Sequence, residues 1–276
     1  RDSCIPYLPE ESEKAERYMT YNIVIPARMK STRLPGKPLM DIAGKPMIVR
    51  VAERAKLTGA SRIVVATDHP QIVDACEREG VEAVLTQESH PTGTDRIAEV
   101  CQKLHFEEDE IVVNIQGDEP LIPPSVVDRV ASLLAQKPGC AIATAAHPIA
   151  TVEDFLNPNV VKVELNALGE AMTFTRAPTP WPRDAFRAGP PYELPERFRA
   201  LHHIGLYAYR ARFLRAFSEL PPAPIEQTES LEQLRALWNG ERIAVLVLEQ
   251  ELPAGVDTES DLERVREVYA RGNLPL

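Results

Sequence analysis

The chain has 276 residues, 44% of them hydrophobic and 26% charged, a composition that fits one large globular domain or two small ones and excludes general disorder. Its 41 acidic against 31 basic residues, a formal net charge of -10, oppose binding to nucleic acid or an anionic membrane, so a basic cluster within it points to a small anionic metabolite. No apolar run approaches the roughly 20 residues of a membrane span. The four cysteines, Cys4, Cys76, Cys101 and Cys140, form no C-x-x-C pair and read as buried free thiols in a reducing cytoplasm.

Residues 1–18, RDSCIPYLPEESEKAERY, are polar and lack the apolar centre of a signal peptide. They read as a leader or mobile arm outside the fold, with room for a short helix in EESEKAERY. Strand patterns follow at 21–25, 62–68, 81–86, 110–116 and 141–147, with helical spacing at 44–57, 69–80, 93–104 and 123–137. That alternation predicts an α/β fold with a mostly parallel sheet covered on both faces. In 93–104, Ile97, Val100, Cys101 and Leu104 form a one-face stripe suited to packing on a sheet. After about residue 150 the rhythm changes. Segments 160–166 and 170–176 read as paired strands across a turn at Ala167-Leu168-Gly169, and a proline-rich irregular stretch follows. The remainder reads as a strand at 201–210, one helix over 225–240 ended by Gly240, a strand at 242–250, and a last helix capped by Ser260.

The richest chemistry lies at 24–39, VIPARMKSTRLPGKPL, where Arg28, Lys30, Arg33 and Lys37 stand on one Gly/Pro-punctuated loop just past the end of the first strand. Open α/β sheets bind ligands at that edge. Arg supplies a planar fork of donors, Lys a mobile point charge, and Gly36 lets backbone N–H groups approach phosphate oxygens, so the loop suits a nucleoside triphosphate; a solvated basic turn has the same composition. Spacing rules out two other phosphate motifs. A P-loop needs glycine where Ser31 or Leu39 stands, and no two glycines are separated by a single residue, so G-x-G-x-x-G is absent. In QGDEP, at 116–120, Asp118 ends an apolar strand and suits Mg²⁺, which takes one or two protein carboxylates plus water and phosphate oxygens. Read alone, Asp118 also fits a capped Gly-containing turn, and Asp257 in GVDT also fits a turn into the last helix.

PARMKSTRLPGKPL, together with ATDH (66–69), GTDR (93–96), NIQGDEP (114–120), NPNVVKV (157–163), FTRAP (174–178), HHIGLYAYR (202–210), IEQTESLEQLR (225–235) and GVDTESDLERV (255–265), resembles the sugar-activating cytidylyltransferases. Within that family the STRLPGKP loop is similar to the branch that loads the eight-carbon acid sugar 3-deoxy-manno-octulosonate (Kdo) onto CMP. The likeness runs from Met19 to about Val268. It implies a Rossmann-like, GT-A-like nucleotidyltransferase domain over 19–276, with an inserted β-rich lobe at about 155–240 that helps bind the sugar and forms a homodimer contact.

The implied reaction is attack of the sugar's anomeric hydroxyl on the α-phosphorus of CTP, releasing diphosphate, in the cytoplasm and for lipopolysaccharide biosynthesis. The resemblance makes Arg28, Lys37, Asp118 and Asp257 the catalytic set, with Mg²⁺ on the two aspartates. It places CTP against Pro26, Ala27, Arg28, Ser31, Arg33, Lys37, Thr67, Asp68, Arg96 and Gln116. It places the sugar against Arg96, Arg176, His203, Tyr207, Glu229, Glu232 and Gln233. Bland roles fit some of these residues too: a strand-to-helix cap for Thr67 and Asp68, an exposed helix position for Arg96, and a hydrogen-bonded structural histidine for His203 beside His202. Glu229, Glu232 and Gln233 share a helical face at i, i+3 and i+4, as a solvated acidic helix also would. The rival readings are activation of another acid sugar (8-amino-Kdo or a sialic acid), a hexose-1-phosphate nucleotidyltransferase, whose Gly-Gly-rich loop is missing here, and a non-catalytic nucleotide sensor.

Overall fold

The computed structural model describes residues 20–276 apart from 32 and 191, so the reading of 1–18 as an arm lies outside the described residues. The first strand, β1 (Tyr21–Ala27), leads into the basic loop, a 3₁₀ turn (Lys37–Leu39) and a small hairpin of β2 (Asp41–Ile42) and β3 (Lys45–Pro46). Helix α1 (Met47–Ala55) thus starts after the hairpin rather than at residue 44. Then come β4 (Arg62–Thr67), α2 (Pro70–Arg78), β5 (Glu82–Leu85), α3 (Gly93–Lys103), β6 (Ile111–Asn114), α4 (Pro124–Gln136) and β7 (Ile142–Pro148). The second half comprises α5 (Val152–Leu156), β8 (Lys162–Leu165), β9 (Ala171–Thr175), β10 (Leu201–Arg210), α6 (Ala211–Phe217), α7 (Pro224–Glu229), α8 (Gln233–Trp238), β11 (Ile243–Val247) and α9 (Glu259–Arg271).

The main sheet runs β11-β7-β10-β6-β1-β4-β5, with the β8–β9 hairpin attached through β10. β1 is parallel to β4 and β6, β4 to β5, and β7 to β11, whereas β10 runs antiparallel between β6 and β7. The apolar run of β1 follows from its position. Ile23 and Ile25 face one core with Ile48 and Ala52 of α1 and Val127 and Val130 of α4; Val24 faces the other with Ile97, Val100 and Cys101 of α3. Side chains alternate across a strand, and only a sheet covered on both faces buries every one of them. The α3 stripe is therefore core, and Cys76, Cys101 and Cys140 are buried free thiols. Among the described residues no helix is long and apolar enough to cross a membrane.

The chain moves outward from β1 through β4 to β5 and then returns to the far side of β1 as β6, so the strand order reverses between β1 and β6. A crevice outside the carboxyl ends of the strands at such a switch point is where open α/β sheets hold ligands.

Two further details differ from the sequence reading. The single helix expected over 225–240 is two short helices broken at Ser230, which sits in the left-handed region at φ 52. The break is fastened by Glu226, whose carboxylate accepts from Arg235 at 2.6 Å with both side chains mostly buried. Glu229 consequently shares no helical face with Glu232 and Gln233. The last helix is capped by Thr258 rather than Ser260: the Thr258 hydroxyl accepts from Asp261 N and the Asp261 carboxylate accepts from Thr258 N, a reciprocal box that also matches the acidic first turn to the helix dipole.

Candidate active site

β1 ends at Ala27, and the loop beyond it frames a cavity of about 590 Å³ whose other wall is Gln116, Gly117, Asp118 and Asp257. Two glycines shape it. A Cβ on Gly117 would lie 2.8 Å from the carbonyl oxygen of Pro26, so only glycine lets the loop after β6 approach the end of β1 this closely. Gly36, at φ 71, turns the chain into the 3₁₀ turn that carries Lys37 inward. Ser31 steadies the loop, its hydroxyl accepting from Leu34 N at 3.2 Å.

Three of the four basic loop residues lie on carboxylates from distant segments. Lys30 meets Glu88 at 2.6 Å, Arg33 meets Asp257 at 3.2 Å, and Lys37 meets Asp118 at 2.6 Å and Asp257 at 3.5 Å. Lys37 also donates to Val256 O at 2.8 Å. Exposed Arg28 lines the same cavity and pairs with no carboxylate among the described residues. The basic loop and both aspartates are thus brought together as expected. Asp118 and Asp257 converge as hard oxygen donors open to the cavity, a set that suits a divalent cation completed by water and phosphate oxygens. Beside them, partly buried Glu119 escaped the sequence reading. Burial, reinforced by the Asp118 and Asp257 charges, pushes its carboxyl up to about 8. It stood in plain view within QGDEP, but no local pattern marks its burial.

A second cavity of about 210 Å³ lies between Pro26, Ala27 and Arg28 on one side and His90, Thr92, Gly93 and Arg96 on the other. Arg96 is 4% exposed, not the surface helix residue its position suggests. It donates through Nη2 to Asp68 at 2.9 Å and through Nη1 to the Thr86 hydroxyl. Thr67 is fully buried and its hydroxyl accepts from His69 N at 3.3 Å, but the cap of α2 is His69, whose ring accepts from Gln71 N, rather than Thr67 or Asp68.

A third cavity, about 240 Å³, collects Tyr207, Tyr209, Glu232, Gln233, Thr94 and Asn114. Asn114 Oδ1 and Glu232 Oε1 are both buried there without a hydrogen-bond partner among the described residues. A buried acceptor left unpaired costs about 1–3 kcal/mol, and both residues line this one cavity. Desolvation raises the Glu232 carboxyl above its ordinary range. Asn114 was missed by the sequence reading; its signal was a polar residue inside the apolar strand IVVNIQ.

Arg176 and Glu229 stand elsewhere, clasped to each other and to backbone. The Glu229 carboxylate accepts from Thr175 Oγ and Arg176 N, both at 2.7 Å, while the Arg176 guanidinium donates to Glu229 O and Pro158 O. Fully buried Lys162 adds to this clasp by donating to the carbonyls of Asn157, Val160 and Arg176. His203, buried and 3.0 Å from Thr144 Oγ, lines a fourth cavity of about 210 Å³ with His147, His202 and Glu119. Its ring centroid is 5.4 Å from that of Tyr207. Gln116 borders all four cavities.

Residues 22–243 match a family model described as Cytidylyltransferase. A solved structure of CMP:2-keto-3-deoxy-manno-octonic acid synthetase complexed with CTP is similar throughout, with a TM-score of 0.82 and 42% identity across 92% of this chain and 99% of that one. A cytidylyltransferase from Leptospira borgpetersenii serovar Hardjo-bovis (strain JB197) shares the fold at a TM-score of 0.57 and 16% identity, across 92% of this chain and 87% of that one. A basic loop at the sheet's switch point, two convergent aspartates and a match over most of the length agree: the chain belongs to the cytidylyltransferase family.

Proposed function

We propose that this protein transfers the cytidylyl group of CTP to the anomeric hydroxyl of Kdo, releasing diphosphate. The observation that carries the reading is the large cavity itself, where cations of the 28–37 loop face Asp118 and Asp257 in a chain 42% identical to a CMP:2-keto-3-deoxy-manno-octonic acid synthetase. Arg28 and Lys37 would take the phosphate oxygens, and the cavity bounded by Pro26, Ala27 and Arg96 the cytosine and ribose. The Tyr207–Glu232–Gln233 cavity supports the sugar, because unpaired buried acceptors suit a ligand rich in hydroxyl donors. Gln116 stands between the two ligands. Asp118 and Asp257 would hold Mg²⁺, which when bound supplies charge neutralisation at the α-phosphate and lowers the pKa of the attacking hydroxyl.

The protein's own contribution is alignment and electrostatic preorganisation, with no covalent nucleophile required. Arg176 and Glu229 support the sugar cavity from outside by fixing α7 to β9. We further infer a homodimer. Leu168, Met172, Trp238 and Val247 are all exposed on neighbouring parts of the β8–β9 hairpin, α8 and β11, an apolar surface suited to a second copy. We also infer a cytoplasmic enzyme, the compartment in keeping with a reaction that consumes CTP. Incubation with CTP, Mg²⁺ and Kdo, followed by mass spectrometry, tests the reading: a CMP–Kdo conjugate with equimolar diphosphate is expected, and CTP recovered intact would overturn it.

A further inference from the structure

The metal-binding aspartates of the proposed reaction are already occupied by a cation of the chain itself. Lys37 Nζ stands 2.6 Å from Asp118 Oδ2, 2.8 Å from Val256 O and 3.5 Å from Asp257 Oδ1, and its side chain is only 15% exposed. These are ammonium distances; Mg²⁺ holds its oxygens at about 2.0–2.1 Å. Of the three N–H donors of the ammonium, two are engaged by Asp118 Oδ2 and Val256 O, and the Asp257 carboxylate stands at ion-pair distance. Charge is balanced as well, since Lys37 and Arg33 stand against Asp118 and Asp257.

We propose that Lys37 is a built-in plug of the metal site, so that the divalent cation enters only with the triphosphate. The proposal rests on the reading of Asp118 and Asp257 as metal ligands. A divalent ion arriving alone must sit within a few ångströms of the Lys37 ammonium, in a partly desolvated pocket where like charges repel strongly. A triphosphate changes the balance. Its oxygens offer the ammonium a new partner on the same side of the cavity, and as Lys37 swings from Asp118 to phosphate it frees the carboxylate oxygen that the metal needs. Arg33 follows the same logic at Asp257. The site thereby stays closed to free divalent ions and takes the cation as its nucleotide complex. One side chain then serves twice, as counter-ion of the empty site and as phosphate ligand of the filled one.

Manganese binding without turnover tests this, using Mn²⁺ as the probe and water-proton relaxation as the readout, with no sugar present. Nucleotide-free wild type should bind Mn²⁺ weakly, and inorganic triphosphate should strengthen binding of Mn²⁺ to the protein. Lys37→Met, which keeps the stem and removes the charge, should bind Mn²⁺ about tenfold or more tightly without nucleotide, and a Lys37→Met/Asp118→Asn double variant should lose that gain. Nucleotide-free wild type that binds Mn²⁺ as tightly as Lys37→Met, or a folded Lys37→Met no tighter than wild type, overturns the proposal. Should the variant fail to fold, the wild-type comparison with and without inorganic triphosphate decides alone, and equal affinity in both overturns it. Calorimetry with CTP keeps the two readings apart. Absent CTP binding counts against the proposed function, whereas CTP binding combined with tight nucleotide-free Mn²⁺ binding counts against the plug alone.

Discussion

Asp68 Oδ2 accepts from Arg96 Nη2 at 2.9 Å, with 12% and 5% of the two side chains exposed, and this buried pair fixes the wall of the second cavity. Removing one partner of a buried ion pair strands the other charge. Asp68→Ala is therefore expected to destabilise the fold by roughly 3–5 kcal/mol in urea unfolding. An Asp68→Ala/Arg96→Met double variant should cost clearly less than the sum of the two single changes. Additive losses would show that the pair is not coupled.

Asp118→Asn and Asp257→Asn should each lower turnover roughly 10²-fold or more while thermal unfolding changes little, since both carboxylates are open to the cavity and support charge rather than core. The losses should be strongly non-additive because both residues serve one transition state. Steady-state kinetics of the two single variants and the double variant checks this, and unchanged turnover in either single variant removes that residue from the site.

The buried histidines make stability pH-dependent in a defined direction. Burial lowers His203 to about 3 and His202 to about 4, while the unfolded chain protonates near the ordinary 6.5. Between those values the unfolded state binds more protons than the native one, so stability rises with pH through this window and falls as the pH drops below about 6.5. Each histidine contributes up to about 1.4 kcal/mol per pH unit. Glu119, raised to about 8, works in the opposite sense, so the informative comparison is between proteins rather than the absolute slope. His203→Asn should show a flatter dependence of unfolding free energy between pH 7 and pH 5 than wild type. Identical slopes would contradict the assignment.

Gly117→Ala forces a methyl against backbone, 2.8 Å from Pro26 O, which no side-chain rotation relieves. The expected outcome is a loss of roughly 1–3 kcal/mol in stability together with weakened CTP binding, because Pro26 and Gln116 line the nucleotide cavities on either side. Calorimetric CTP affinity equal to wild type would show that the approach of the two loops is not needed for binding.

The sheet was legible because β1, β4 and β6 are apolar on both faces, a pattern only a covered strand tolerates, and the basic loop was legible because four cations fall within ten residues of a strand end. The break at Ser230 was not, since no glycine or proline marks it and the Glu226–Arg235 pair that fastens it is a tertiary contact. The same cause hid the Asp68–Arg96 pair. Arg96 occupies a helix position that sequence alone leaves open to solvent, and its carboxylate lies on the preceding β-α connection. Arg176 and Glu229 share a motif neighbourhood with the sugar cavity residues, yet the Glu229 carboxylate is held by Thr175 Oγ and Arg176 N, and Arg176 Nε and Nη1 donate to backbone carbonyls. Proximity in a motif does not say where a side chain finds its partner.

In the proposed function, Tyr207, Glu232, Gln233 and Asn114 form a cavity for Kdo while the basic loop holds CTP. Diphosphate release measured side by side with Kdo and with N-acetylneuraminate, at saturating CTP and Mg²⁺, tests it most directly. The expected kcat/KM for Kdo exceeds that for N-acetylneuraminate by a factor of roughly 10³ or more, because a site built to pair buried polar groups rejects a ligand that leaves them unpaired. Comparable values for the two sugars would contradict it.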